Sequence, residues 1–309
     1  MEVSALTTDI FWRVLVVFSL VFFGIVARKT GAFREEAKDS LAQIMLNITL
    51  PPLVFVSMTA DITWERILSG AVSPLIALAL VGIMLVITKF LSRLVRMKPE
   101  RRGTFSVVSA MPNTAFIGFP VILAVLGQEG LAYAVLYDIG ITLAFCSLAI
   151  MALKGGGLEE GSWKSLLNPP LITSVLGLFI NRLGLKIPEL IFEPLKIMGN
   201  ATVPLAMLLV GYTLCDLKFD HKVIDLELVM VCIVKLLLYP FFAYLVTLPL
   251  NLDPLVRTVI VMQAAMPSMA STPVLTQKYG GDSEFAVTSI FVTTLLSMFS
   301  IPFMVYLLV

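Results

Sequence analysis

Prolines bracket two short stretches of this chain that carry polar residues within apolar surroundings. They are Pro112-Asn113-Thr114-Ala115-Phe116-Ile117-Gly118-Phe119-Pro120 and Pro267-Ser268-Met269-Ala270-Ser271-Thr272-Pro273. A proline inside a helix removes one amide donor and clashes with the carbonyl four residues earlier. Pro112 and Pro120 therefore disturb the carbonyls of Val108 and Phe116, and Pro267 and Pro273 those of Gln263 and Met269. Both stretches are expected to unwind. In hydrocarbon each unsatisfied backbone group costs several kcal/mol, so an opened backbone must pack against protein or line a wet cavity. The second half of an opened helix presents amide N–H groups where the dipole places about half a positive charge. That is chemistry for holding an anion. A carboxylate would meet the amide of Asn113 and the side chains of Asn113, Thr114, Ser268 and the neighbouring Gln263, while Pro112, Gly118, Pro120, Pro267 and Pro273 shape the opening. One proline kink can serve packing alone; two in equivalent positions point to a transport site.

Five further polar residues fall inside apolar runs. Asn47 and Asn200 each stand one turn before a proline, Pro51 and Pro204. They would line the pocket or bond between helices. Lys235 sits about ten residues, or roughly 15 Å, into its run, which is mid-bilayer depth. A charge there costs at least about 2.5–3.5 kcal/mol unless paired or hydrated. Asp138 is its candidate partner, as a proton-coupling pair or a static one. Arg13 is expected to snorkel to headgroups. Cys146, Cys215 and Cys232 show no CxxC spacing, and the single histidine, His221, sits in a polar link. Neither a disulfide framework nor a metal site is expected, and no cofactor motif is present.

The elements that must position these residues are membrane spans. Apolar residues make up 58% of the chain and charged ones 14%, with a mean hydropathy of +0.96. A surface so poor in charge needs lipid as its solvent, because soluble domains carry roughly 25% charged residues. A net charge of +1 gives no basic surface for nucleic acid. A span needs about 20 mostly apolar residues. Ten candidates emerge: 8–27, 39–59, 69–92, 104–126, 131–153, 168–182, 192–215, 225–249, 255–277 and 283–308, the sixth short enough that it could begin near Trp163. Met1 to Asp9 is acidic and precedes no cleavage pattern, so no cleavable signal is expected. Counting lysines and arginines in the links or within four residues of them, fifteen go with the links after odd-numbered spans and four with those after even-numbered spans. With positive charge kept inside, both termini are expected to face outward from the plasma (inner) membrane.

The sequence also repeats itself. Asn47-Ile48-Thr49-Leu50-Pro51 answers to Asn200-Ala201-Thr202-Val203-Pro204, and Ala110-Met111-Pro112-Asn113 to Ala265-Met266-Pro267-Ser268. Pro99 and Arg102 answer to Pro254 and Arg257, and Pro120 and Gly127 to Pro273 and Gly280. Collinear matches of this kind mark an internal repeat. Five spans is an odd number, so the second copy enters the membrane from the opposite side. The expected fold is all-α, with ten transmembrane helices as a 5+5 inverted repeat and proline-broken crossover helices 4 and 9. Residues 1–153 form the first repeat, 154–167 a central cytosolic linker and 168–309 the second. Inverted repeats are a recurrent architecture of alternating-access carriers.

The run from Pro112 to Pro120 resembles the P-N-T-x-x-x-G-x-P signature of the auxin efflux carrier family, and Gln263-Ala264-Ala265-Met266-Pro267 followed by Pro273 is similar to its ninth-helix motif. In size the chain is similar to the bacterial organic-acid permeases of that family. The resemblance implies a scaffold of helices 1, 2, 6 and 7, through which members can dimerise, and a transport domain of helices 3–5 and 8–10. It also implies that Asn113 contacts substrate and that the substrate is a small organic anion, auxin-like or a dicarboxylate such as malonate or malate. The function so expected is a secondary active transporter or facilitative carrier working by elevator-type alternating access, with a proton or sodium ion as possible coupling ion. Two other classes were weighed. A transporter-like sensor would need a signalling element, and an intramembrane aspartyl protease would need Asp138 and Asp282 to share a proton, for which they lie at different depths.

Overall fold

The computed structural model describes residues 2–59, 62–156, 168–216 and 225–308. His221 and most of the central linker, 157–167 with Trp163, lie outside the described residues. Within them the secondary structure is helical, with one isolated antiparallel bridge between Pro112 and Ser268. Six helical stretches are long and apolar enough to cross a membrane: Glu36–Thr59, Trp64–Leu94, Thr114–Lys154, Glu189–Cys215, Leu226–Thr247 and Ser283–Met304. Thr114–Lys154 is 41 residues, about 60 Å of helix, or twice the roughly 30 Å hydrocarbon core. It turns at Gly127, whose φ of 69° and ψ of −163° no helical residue adopts.

The helices, in chain order, are α1 (Glu2–Lys29), α2 (Glu35–Ile44), α3 (Leu50–Thr59), α4 (Trp64–Ser69), α5 (Ser73–Leu94), α6 (Pro99–Ala110), α7 (Phe119–Ala144), α8 (Ile150–Lys154), α9 (Pro169–Arg182), α10 (Glu189–Asn200), α11 (Thr202–Asp216), α12 (Leu226–Ile233), α13 (Tyr239–Thr247), α14 (Pro254–Ala264), α15 (Thr272–Tyr279) and α16 (Ser283–Leu308). π-Helical turns join several of them. Met45–Thr49 precedes Pro51, Thr114–Gly118 precedes Pro120, and Val234–Leu238 precedes Pro240. A proline cannot donate to the carbonyl four residues back and crowds it, and a locally widened turn relieves that crowding without ending the helix. The fourth π turn, Phe145–Ala149, precedes no proline; nothing in its sequence explains it.

Two compact units make up the chain. One comprises residues 1–71, 115–136 and 167–216. In it α1 lies along α11, and α3 packs on α9 and α10. Gly24 and Gly211 let α1 and α11 touch backbone to backbone: a Cβ on either would sit 2.2 Å or 2.1 Å from a carbonyl oxygen of the other helix. Small residues at such a seam allow the close approach that association in lipid depends on. Asn181 closes the end of α3 by donating to the carbonyls of Met58 (3.0 Å) and Ile62 (2.8 Å). Thr202 bonds Thr49 at 3.0 Å, both buried, so equivalent threonines of the two repeat motifs meet.

The other unit comprises 72–114, 137–166 and 217–309. In it α5 packs on α6, α13 on α14, and α16 against α6, α12, α14 and α15. One arginine fixes three of these helix starts. Arg101, in the first turn of α6, reaches Asp282 at 2.6 Å, Asp225 at 2.7 Å and Glu227 at 3.1 Å, and lies over the ring of Phe285. Asp225 and Asp282 also accept amides of the helix starts they precede, Leu228 of α12 and Phe285 of α16. Burial works against the charge of Arg101, but hydrogen bonds with Glu227 and Asp282 raise its pKa above the ordinary guanidinium value.

Candidate functional site

The site is built where two interrupted helices meet inside the second unit. α6 ends at Ala110 and residues 111–113 leave helical geometry; α14 ends at Ala264 and α15 begins at Thr272. The Asn113 amide donates to the carbonyl of Pro267 at 2.8 Å, and the Met269 amide to that of Met111 at 2.9 Å. Backbone groups that would have bonded along each helix thus bond across to the other. The sequence led us to expect both proline-bounded stretches to unwind fully. The first interruption is narrower: after Asn113 the chain enters the π turn Thr114–Gly118, whose wider ring accommodates Pro120 at the start of α7.

Side chains complete the crossing. The carbonyl of Val108, which Pro112 deprives of its amide, accepts the Ser268 hydroxyl at 2.7 Å, and the Ser268 amide donates to Thr293 Oγ1 at 3.2 Å. Asn113, Thr114 and Ser268 are all buried. Thr114 donates its hydroxyl to Asp138. Gln263, on the last turn of α14, is fully buried, and neither its Oε1 nor its Nε2 has a hydrogen-bond partner among the described residues. The same holds for the hydroxyls of Ser109 and Thr272. Unmatched buried polar atoms each cost about 1–3 kcal/mol, so a set of them at a helix break calls for an explanation in function.

Lys235 is also fully buried, yet it does not pair with Asp138. Its Nζ donates to the carbonyl of Ala264 at 3.1 Å and lies 4.0 Å from the ring centroid of Tyr239. The reason is local: ending α14 at Ala264 leaves a carbonyl without an amide, and a cation at a helix C-terminus satisfies it and opposes the dipole. The contact to Tyr239 was open to sequence reasoning, since residues four apart share a helix face. Ala264 and Thr293 were not, because no local spacing relates them to Lys235 or Ser268. Arg101 had counted only toward the charge bias.

The remaining expected site residues fall in other places. Pro112 and Pro267 lie at the crossing and are buried, and Pro273 is half-buried in the first turn of α15. Gly118 and Pro120 are buried and belong to the first unit, as do Asn47 and Asn200, which are exposed. Asn47 lies within the π turn Met45–Thr49 and Asn200 ends α10. Asp282 is occupied by Arg101 and by its helix cap, and Asp138 by Thr114. Among the described residues no group of three or more His, Cys, Asp or Glu could hold a metal ion.

Comparisons with known proteins agree with this architecture. A family model described as membrane transport protein matches the chain twice, over residues 9–162 and 158–305. The chain is 32% identical over 299 residues to an uncharacterized transporter of Methanothermobacter thermautotrophicus, covering 94% of this chain and 95% of that one. It is 29% identical over 294 residues to an uncharacterized transporter of Methanocaldococcus jannaschii, covering 92% and 94%. It is 25% identical over 317 residues to a provisionally assigned malonate transporter of Rhizobium meliloti, covering 96% and 94%. With a doubled family match spanning nearly its whole length and apolar helices able to span a bilayer, the chain belongs to the auxin efflux carrier family of integral membrane transport proteins.

Proposed function

We propose that the protein is a secondary carrier of a small organic anion. The observation that carries this reading is the wholly buried carboxamide of Gln263, without a hydrogen-bond partner among the described residues, beside two helix interruptions that exchange backbone hydrogen bonds. An amide Nε2 there is a donor in want of an acceptor, and a carboxylate supplies acceptors only. Asn113, Thr114 and Ser268 stand on the same crossing, with Pro112, Pro267 and Pro273 keeping it open. The name of the Rhizobium relative makes malonate the first substrate to try.

The proposal extends to the whole cycle. Ten spans form a 5+5 inverted repeat with helices 4 and 9 broken by proline, and the substrate rides on spans 3–5 and 8–10. Spans 1, 2, 6 and 7 act as the stationary scaffold of a homodimer in the plasma (inner) membrane. Asp138 and Lys235 are the candidates for coupling to a proton or sodium gradient, each through its own partner at the crossing. Proteoliposome uptake of labelled malonate, other dicarboxylates and auxin-like monocarboxylates tests this. We expect saturable uptake of at least one carboxylate, lost in Asn113→Ala and Gln263→Leu proteins that still melt cooperatively. Uptake undiminished in both variants would remove the site, and a rate indifferent to imposed pH and sodium gradients would remove the coupling role.

A further inference from the structure

A second feature of the same unit is independent of the carried anion. Between α13, α14 and α16 lies a trough of about 640 Å³ whose lining includes Leu237, Phe241, Phe303 and Arg257. Arg257 lies three residues into α14, about 4.5 Å along the helix. Its Nη2 donates to the carbonyl of Leu250 at 3.1 Å, while its Nε is buried with no partner among the described residues. No carboxylate among those residues lies within 4.0 Å of the guanidinium. The repeat-equivalent arginine behaves differently. Arg102 spends its Nε on the carbonyl of Met97 at 2.9 Å. Arg257 makes its backbone contact with Nη2 instead.

A guanidinium that lines the trough and has no carboxylate partner among the described residues suits the oxygens of a phosphate. The trough beyond it is apolar, and Phe241 and Phe303 are each more than half exposed. A small soluble anion would use the arginine and leave that wall unmatched, whereas an amphiphile uses both ends. The volume lies within the range of about 300–1,000 Å³ typical of small-molecule sites. We propose that the trough seats an anionic phospholipid, its phosphate on Arg257 and its acyl chain along Leu237, Phe241 and Phe303.

The test is native mass spectrometry of the full chain in detergent, with phosphatidylglycerol and phosphatidylcholine supplied together. The wild-type protein is expected to retain phosphatidylglycerol about tenfold over phosphatidylcholine, a preference of about 1.4 kcal/mol. In Arg257→Gln the preference should fall to near parity. Should that variant fail to fold, Leu237→Trp, which fills the trough from an exposed wall position and leaves Arg257 in place, should reduce retention of phosphatidylglycerol in the same way. Equal retention of both lipids by the wild-type protein would overturn the proposal. So would selectivity unchanged in either variant, or a lipid-free dimer that Leu237→Trp dissociates, because the trough would then be covered by a second copy of the chain.

Discussion

Ser268 does at the crossing what a helix amide would do elsewhere. Pro112 strips the Val108 carbonyl of its donor, and the Ser268 hydroxyl, supplied from the other half of the chain, replaces it at 2.7 Å in a fully buried setting. Removing that hydroxyl leaves a buried acceptor unmatched, which costs about 1–3 kcal/mol. Ser268→Ala should therefore lower the thermal midpoint of the detergent-solubilised protein by several degrees, given about 2–4 °C per kcal/mol for chains of a few hundred residues. An unchanged midpoint would mean that water or backbone relaxation serves Val108 equally well. The contrast with Lys235 shows how far single residues were readable. Its depth in an apolar run marked it as a buried cation in need of a partner, and burial is what the structure has. The partner itself is a main-chain carbonyl freed by a break elsewhere in sequence. Carbonyls carry no residue-type signature, so the carboxylate Asp138 stood out in the sequence and Ala264 did not.

At the scale of elements, prolines do two different things, and sequence alone does not separate them. Pro51, Pro120 and Pro240 each follow a π turn that keeps the helix running, whereas Pro112 and Pro267 stand in real interruptions. The difference is supply: the interrupted segments find backbone partners in each other, and the π turns absorb the missing bond within their own helix. Arg101 acts on this scale too, holding the starts of α12 and α16 to α6 through Asp225, Glu227 and Asp282. Its side chain is 31% exposed, so solvent screens part of the attraction and the net value is nearer an exposed pair than a buried one. Arg101→Gln should cost about 1–2 kcal/mol. In a double-mutant cycle with Asp282→Asn, the two changes should couple by at least about 0.5 kcal/mol, as residues in one ion-pair network do. Additive losses would show that the carboxylates cap their helices without help from the arginine.

Over the whole molecule the helical class, the doubled motif and the membrane as solvent were legible because they are sums over many residues. Fifty-eight per cent apolar composition survives any local misreading, and the repeat was visible in matched Asn, Thr and Pro positions, in keeping with a family model that matches the chain over two ranges. Division into compact units was not legible in the same way, since the chain passes from one to the other within the run around Thr114 and Ala115 and again near Leu136 and Tyr137, where no link or change of composition marks the boundary. Orientation is the remaining global property, and the proposed one rests on charge. Fifteen lysines and arginines in or within four residues of the links after odd-numbered spans oppose four at the others, and the translocation machinery retains positive loops on the cytoplasmic side. In the proposed topology, five spans per repeat turn the second copy over and return the C-terminus to the side of the N-terminus. An alkaline phosphatase fused after Val309 should accordingly be active and a green fluorescent protein in the same place dark, while the same reporters inserted between Lys98 and Glu100 should give the opposite pair. Fluorescence from the C-terminal fusion would require an odd number of spans or a reversed insertion. An odd number would undo the inverted relation between the repeats on which the proposed alternating access depends, whereas a reversed insertion, shown by the reporters at Lys98–Glu100 switching as well, would overturn only the orientation.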